Sequence, residues 1–242
     1  MIDLHSHILP GLDDGSRSLE ESIAMARMAV DSGVTAMVAT PHCVDDRRRE
    51  VYDAWLLLRE ALEKTGTPLQ LFLGMEIFGT YATARLLRND ALFTLNGSRY
   101  PLMEFHFHSD GEEETQILQD VCGAGFRPVI AHPERYSYVQ ENPGMVNLWH
   151  QMGCLLQINR GSLLGRFGHR AQKTAALLVE RRFAWAVSSD AHSPRSRTPW
   201  LRDVYDLLQE GLSPDHAKKL LLDNPLRILN NEDIHPAEPE WF

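Results

Sequence analysis

The chain has little of what marks a disulfide-framed, membrane or nucleic-acid protein. Its 242 residues include three cysteines, Cys43, Cys122 and Cys154. An odd number without metal-type spacing excludes a disulfide framework and implies reduced thiols in a cytoplasmic protein. Cys43 follows His42, but nothing around it forms a nucleophilic thiolate loop, so a filler thiol is expected there. No Lys/Arg block is longer than Arg47-Arg48-Arg49, and the net charge is -9. Both argue against nucleic acid or an anionic membrane surface as a partner. No apolar run approaches the roughly 20 residues that span a bilayer. The opening residues hold Asp3, His5 and His7 rather than the basic leader of a signal peptide. Linkers, repeats and low-complexity tracts are missing too. Residues 1–242 are therefore expected to form a single domain, with 43% hydrophobic content to supply its core.

What is present alternates. Short apolar runs at 2–5, 35–40, 69–76, 101–105, 128–132, 154–158 and 184–189 predict strands, mostly bounded by Gly, Pro or polar residues. Helices fill the gaps. Ser18 and Glu21 have the spacing of a capping box, and Leu19, Ile23, Ala26 and Val30 form one stripe that ends at Gly33. Residues 49–65, 113–124, 145–152 and 172–182 repeat the plan, and a terminal helix with a Pro-bearing extension is expected from Asn224. Seven consecutive β-α units predict a parallel α/β barrel, with a doubly wound open sheet as the alternative.

The histidines and acids fall at the ends of these strands. Asp3-Leu4-His5-Ser6-His7 closes the first, and Ser189-Asp190-Ala191-His192 closes the last. Between them, His42, Glu76, Glu104 and His132 each follow an apolar run. Strand carboxyl ends converge on one rim in a barrel, so these side chains are brought together. His5 and His7 alternate along a strand and share a face, as do Asp190 and His192. A lone H-x-H is more often surface or satisfied core than a ligand pair. Six recurrences of one pattern point to a multinuclear metal site. Nitrogen and oxygen donors without thiolate suit Mn²⁺, Fe²⁺ or Zn²⁺. Bound cations would also reverse the acidic potential for an anionic substrate.

These segments, with Asp13-Asp14-Gly15, Thr40-Pro41-His42, Gly74-Met75-Glu76-Ile77 and Ile130-Ala131-His132-Pro133-Glu134-Arg135, resemble the PHP (polymerase and histidinol phosphatase) superfamily. More narrowly, the chain looks like the manganese-dependent tyrosine-protein phosphatases encoded with bacterial capsule and exopolysaccharide genes. Gln157-Ile158-Asn159, Gly161-Ser162-Leu163 and Phe167-Gly168 extend the likeness to all but about the last 15 residues, a C-terminal extension by composition. The resemblance implies a distorted seven-stranded β/α (TIM-like) barrel and a three-metal Mn²⁺ centre, with Fe, Zn or Mg as substitutes. By position, His5, His7, Glu76 and Asp190 would hold one ion, and Glu76, Glu104 and His132 the second. Asp14, with the adjacent Asp13 as the alternative, would hold the third with His42 and His192.

Arg135 and Arg197 follow ligand-bearing strand ends, and the resemblance gives both a place on the phosphoryl group, which a guanidinium binds with paired donors. Taken singly, either could be a surface ion pair. Arg160 and Arg166 are weaker rim candidates. His106 and His108, which the family lacks, are expected on a solvent-facing loop. The implied substrate is a tyrosine-phosphorylated protein, the Tyr-rich tail of a bacterial tyrosine kinase. A histidinol-phosphate phosphatase and a non-catalytic kinase-docking protein are the alternatives; all nine implied ligand positions hold competent residues, which disfavours the second.

Overall fold

A computed structural model describes residues 1–43, 46–235 and 238–242. Nine strands are found among them: β1 (Ile2–Ser6), β2 (Ala36–Ala39), β3 (His42–Cys43), β4 (Gln70–Leu73), β5 (Glu76–Phe78), β6 (Leu102–Glu104), β7 (Val129–Ala131), β8 (Leu155–Asn159) and β9 (Ala184–Ser188). All pairings are parallel, in a sheet of order β1-β2-β4 and another of order β3-β5-β6-β7-β8-β9. The nine are the seven expected runs with two breaks. Proline carries no N–H for the ladder, and Pro41 separates β2 from β3. Gly74 separates β4 from β5; a Cβ there would lie 2.9 Å from Val38, so the chain can bend only without a side chain. Hydrogen bonds cross both breaks, Gly74 N to Ala39 O at 3.0 Å and Glu76 N to Pro41 O at 3.0 Å.

The first and last strands meet at the carboxyl rim. Asp190 N donates to His5 O at 3.0 Å, His7 N donates to Ala191 O at 2.8 Å, and Ser6 bridges Ala191. This is the TIM-like α/β class, not a doubly wound open sheet.

The two strand faces serve different layers. Met37, Met103, Ile130, Leu156 and Val187 join the main core with the helices α1 (Leu19–Asp31), α2 (Arg48–Lys64), α3 (Thr83–Arg88), α4 (Glu112–Gly123), α5 (Ser137–Glu141), α6 (Met145–Gln151), α7 (Arg160–Leu163), α8 (His169–Glu180) and α9 (Arg202–Gly211). Val38, Leu102, Val129, Leu155 and Ala186 form a second cluster, with Ile228, Leu229 and Ile234 of the C-terminal segment. Along β6 and β8 the face bearing Leu102 and Leu155 goes on to Glu104, Gln157 and Asn159. An apolar plug thus gives way to polar side chains at the rim.

The α1 cap differs in detail from a capping box. Ser18 Oγ accepts from Glu21 N at 3.3 Å, but Glu21 reaches back to the N–H of Arg17, at 2.9 Å. Before the expected terminal helix, α11 (Asn224–Leu229), lie α10 (Pro214–Lys218) and a π-helical turn, Lys219–Asp223. Ser213 caps α10 by accepting from His216 N, a short start signal that apolar periodicity does not register. In the tail, Pro236 and Ala237 lie outside the described residues. The expected extension starts inside packed structure, because Ile228, Leu229 and Ile234 are buried.

Candidate metal centre

Alternation on β1 sends His5 and His7 to one face, with Nε2 atoms 3.2 Å apart. Glu76 opens β5, fully buried, beside His42 of β3 in the strand register. Its carboxylate lies 3.2 Å from His5 and from His7, 3.0 Å from His42 Nδ1 and 2.9 Å from His132 Nε2. Glu104 ends β6 with Oε1 2.6 Å from His42 Nδ1. Asp14, largely exposed, faces His42 Nε2 at 3.5 Å and His192 Nε2 at 3.3 Å. Asp190 Oδ1 is 3.5 Å from both His5 and His7. The backbone is left-handed at His132 (φ 38°), Asp190 (φ 51°) and Arg197 (φ 49°), a region that side-chain-bearing residues seldom enter.

The donors fall into four overlapping groups, each with ligand atoms within 4.8 Å of one another: His7, Asp14, His42 and His192; His5, His7 and Asp190; His5, Glu76 and His132; His42, Glu76 and Glu104. All nine expected residues are present. Glu104 and His132, expected on one ion, stand in different groups that share Glu76.

A supporting layer aims these donors. His5 Nδ1–H donates to Gln157 Oε1 at 2.8 Å, Gln157 Nε2 donates to Asn159 Oδ1 at 2.9 Å, and Asn159 Nδ2 donates to Asp190 Oδ2 at 2.5 Å. This chain turns the His5 Nε2 lone pair toward the centre. Asp13 does the same for His7, accepting from Nδ1 at 2.7 Å, and also accepts from the backbone N–H groups of His42 and Gly15. The adjacent acids thus divide the work: Asp13 orients and Asp14 faces the donors. Buried Asp3 ties β1 to Ser189 through Ser189 N and Oγ. From sequence, Asp13 is only the alternative ligand to Asp14, and Gln157 and Asn159 carry the family likeness without a role. The amide spacing on β8 was the available signal.

Electrostatics bind the cluster. Burial alone would push the Glu76 carboxyl up, but His5, His132 and His42 outweigh it and hold it well below the usual range. Asp190 is likewise held low, by His5, His7 and Arg197 against burial. Although burial opposes it, Glu104 and Glu76 raise His42 to about 10, and acidic neighbours raise His5 and His7. His192 drops to about 4, through burial and the neighbouring His7. Glu76 Oε2, Asp190 Oδ1 and His192 Nε2 are buried with no partner of hydrogen-bond geometry, although imidazoles lie within ion-pair distance of the two carboxylate oxygens and the Asp14 carboxylate within that distance of His192. Nitrogen and carboxylate donors converging on one space fit a cation that replaces their protons. The 3.2 Å between the two Nε2 atoms also suits donors about 2.1 Å from one ion.

A pH dependence follows. His5, His7 and His42 hold protons more tightly than free imidazole, so each must release one to bind a cation, whereas His192 is already neutral near pH 7. Divalent-ion affinity is expected to weaken as pH falls from 8 to 6, about tenfold per pH unit for each proton displaced. Calorimetric titration in buffers of different ionisation enthalpy would count the released protons; affinity independent of pH would contradict the protonation pattern.

The arginines sit against the centre. Arg197 Nη2 donates to Asp190 Oδ2 at 2.5 Å and Arg135 Nη1 to the same oxygen at 3.4 Å. Arg197 Nε is buried without a hydrogen-bond partner. Arg160, a weaker rim candidate, is committed elsewhere: its Nε and Nη2 grip the Asp203 carboxylate at 2.7 and 2.5 Å. Arg166 is exposed. β6 stops at Glu104, so His106 and His108 do not share a strand face with it and lie exposed in the following loop. Cys43 packs in the main apolar core.

A TIM-like scaffold carrying nine nitrogen and oxygen donors and two arginines at its rim defines a metal-dependent hydrolase. The chain belongs to the CpsB/CapC family of capsular polysaccharide synthesis, whose model matches residues 1–230. It is 32% identical to the tyrosine-protein phosphatase CpsB of Streptococcus pneumoniae, over 97% of this chain and all of that one. It is 33% identical to the tyrosine-protein phosphatase YwqE of Bacillus subtilis, over 99% and 96%. A crystal structure from work on YwqE and CpsB, described as unique metal-dependent tyrosine phosphatases, superposes with a TM-score of 0.91 at 33% identity over 99% of each chain. A lactonase from Listeria monocytogenes, at TM-score 0.58, 15% identity and coverage of 96% and 95%, shares the fold. No helix among the described residues is long and apolar enough to cross a membrane.

Proposed function

We propose that this chain is a cytoplasmic protein-tyrosine phosphatase, acting as one domain through a three-ion Mn²⁺ centre held by His5, His7, Asp14, His42, Glu76, Glu104, His132, Asp190 and His192. The carrying observation is the overlap of the four donor groups through the shared residues His5, His7, His42 and Glu76, with an unpartnered arginine donor beside them. The donor set, without thiolate, is that of an oxygen- and nitrogen-preferring ion such as Mn²⁺. When bound, such ions lower the pKa of water toward neutrality and take up charge on phosphoryl oxygens.

The chain's own residues do the rest. Arg135 and Arg197, anchored on Asp190, present their remaining N–H groups to the phosphoryl oxygens, where charge grows in the transition state. Gln157, Asn159 and Asp13 keep the imidazoles aimed, so little reorganisation accompanies the reaction. Phenolate leaves readily, so a strong general acid is dispensable.

The names of the relatives support a phosphotyrosyl protein as substrate, and the family's role in capsule synthesis supports the Tyr-rich tail of a bacterial tyrosine kinase that controls capsule or exopolysaccharide. Such a tail would bind extended and with modest affinity, since ordering it costs entropy. Side-by-side kinetics test the assignment: phosphotyrosyl peptides should exceed phosphoseryl peptides and histidinol phosphate in kcat/KM. Parity or reversal would leave a hydrolase but remove the tyrosine assignment.

A further inference from the structure

The segment from Gly161 to Gly168, which follows β8, contributes nothing to the donor groups. Half-buried Phe167 packs on Gly161, where a Cβ would stand 2.6 Å from its ring. The Phe167 ring centre lies 4.3 Å from the guanidinium carbon of Arg135 and 5.7 Å from that of Arg197. Phe107, in the loop after β6, lies 4.6 Å from the same carbon of Arg135 and 5.7 Å, ring to ring, from His132. Both rings border a cavity of about 240 Å³, completed by His108, Arg135, Gln140 and Ala171. A phenyl ring needs only about 150 Å³. Arg135 belongs to both places, since one N–H reaches Asp190 while its flank lines the cavity.

We propose that Phe167 and Phe107 form an aryl-binding wall that makes the centre selective for aryl over alkyl phosphomonoesters. The inference rests on the phosphotyrosine reading above and adds the source of its selectivity. With the phosphoryl group at Arg135 and Arg197, the ring attached to it enters the cavity and meets two phenyl groups, which aromatic rings pack against in edge-to-face or offset geometry. A phosphoserine has no ring to fill that space and would have to draw its backbone into it. Gly161 belongs to the device because only a residue without a side chain lets Phe167 seat.

The test compares the metal-loaded wild type with Phe167→Leu and Gly161→Ala on phosphotyrosyl and phosphoseryl peptides of one sequence. Calorimetric binding of phenylphosphonate and methylphosphonate, which have no leaving group, accompanies it. The aryl-to-alkyl ratio should fall about tenfold in both variants, in kcat/KM and in affinity, as expected for loss of one aromatic contact and its buried area. An unchanged ratio, whatever happens to the absolute rate, overturns the wall and leaves Phe167 as support for the arginines. Should either variant fail to fold, equal affinity of the wild type for the two phosphonates overturns it as well. A wild type that hydrolyses phosphoserine as fast as phosphotyrosine overturns the tyrosine reading itself. An aryl preference present in the wild type and retained in both variants overturns only the wall.

Discussion

Hydrolysis of phosphotyrosyl peptides is expected to fall to background when divalent ions are stripped with a chelator, and to return best with Mn²⁺. Nine donors pack so closely that without cations the charge is balanced by protonated imidazoles, as the raised His5, His7 and His42 show. Vanadate, which traps thiolate phosphatases, should act weakly, because Cys43 is buried in the core. Asp190→Asn should silence the enzyme with the far-UV circular dichroism unchanged. Asp190 sits among His5, His7, Asn159, Arg135 and Arg197, so its charge holds both arginines and would serve a bound ion. His132→Ala should act through lost occupancy in the same way. Full activity in a sample shown by elemental analysis to contain no metal would sink the mechanism.

The second large effect belongs to the arginines. Arg135→Ala and Arg197→Ala should each lower kcat on the order of 10²-fold or more, the usual result of removing one preorganised donor from a developing charge. Metal content should stay normal, because a guanidinium is a donor only and offers no lone pair to a cation. Arg→Lys should recover part of the loss, since an ammonium keeps the charge without the planar fork. The loss should be larger at Arg197, whose contact to Asp190 is the shorter and whose Nε is buried without a partner. Losses confined to KM would assign both residues to uniform binding. Wild-type kinetics in both alanine variants would place the phosphoryl group elsewhere.

How much of this was legible in the sequence follows physical lines. The apolar runs and the residues ending them are local features, and they located eight of the nine donors on or beside a strand end; Asp14 came only through the family resemblance. Breaks inside runs were hidden because they depend on neighbours. Gly74 interrupts a strand where Val38 of the adjacent strand leaves no room for a Cβ. Partner choice was hidden for the same reason. Whether Asp13 or Asp14 faces the donors depends on His7 Nδ1 and the His42 N–H, both brought near by folding. Arg160, a weaker candidate than Arg135 from sequence, is removed from the rim set by Asp203 of α9, a partner that only folding brings to it. Gln157 and Asn159 stood in a recognisable motif, yet their role became visible only with His5 and Asp190 at the two ends of their chain.

The left-handed backbone at His132, Asp190 and Arg197 sets two selective pressures against each other. Such a conformation costs on the order of 1–2 kcal/mol in a residue bearing a Cβ. Glycine would relieve it at each position while deleting an imidazole, a carboxylate or a guanidinium from the rim. A laboratory lineage propagated under heat alone, with no demand for turnover, would therefore drift toward glycine at these three positions. The sites that accumulate such replacements would trace the outline of the catalytic rim from survival data.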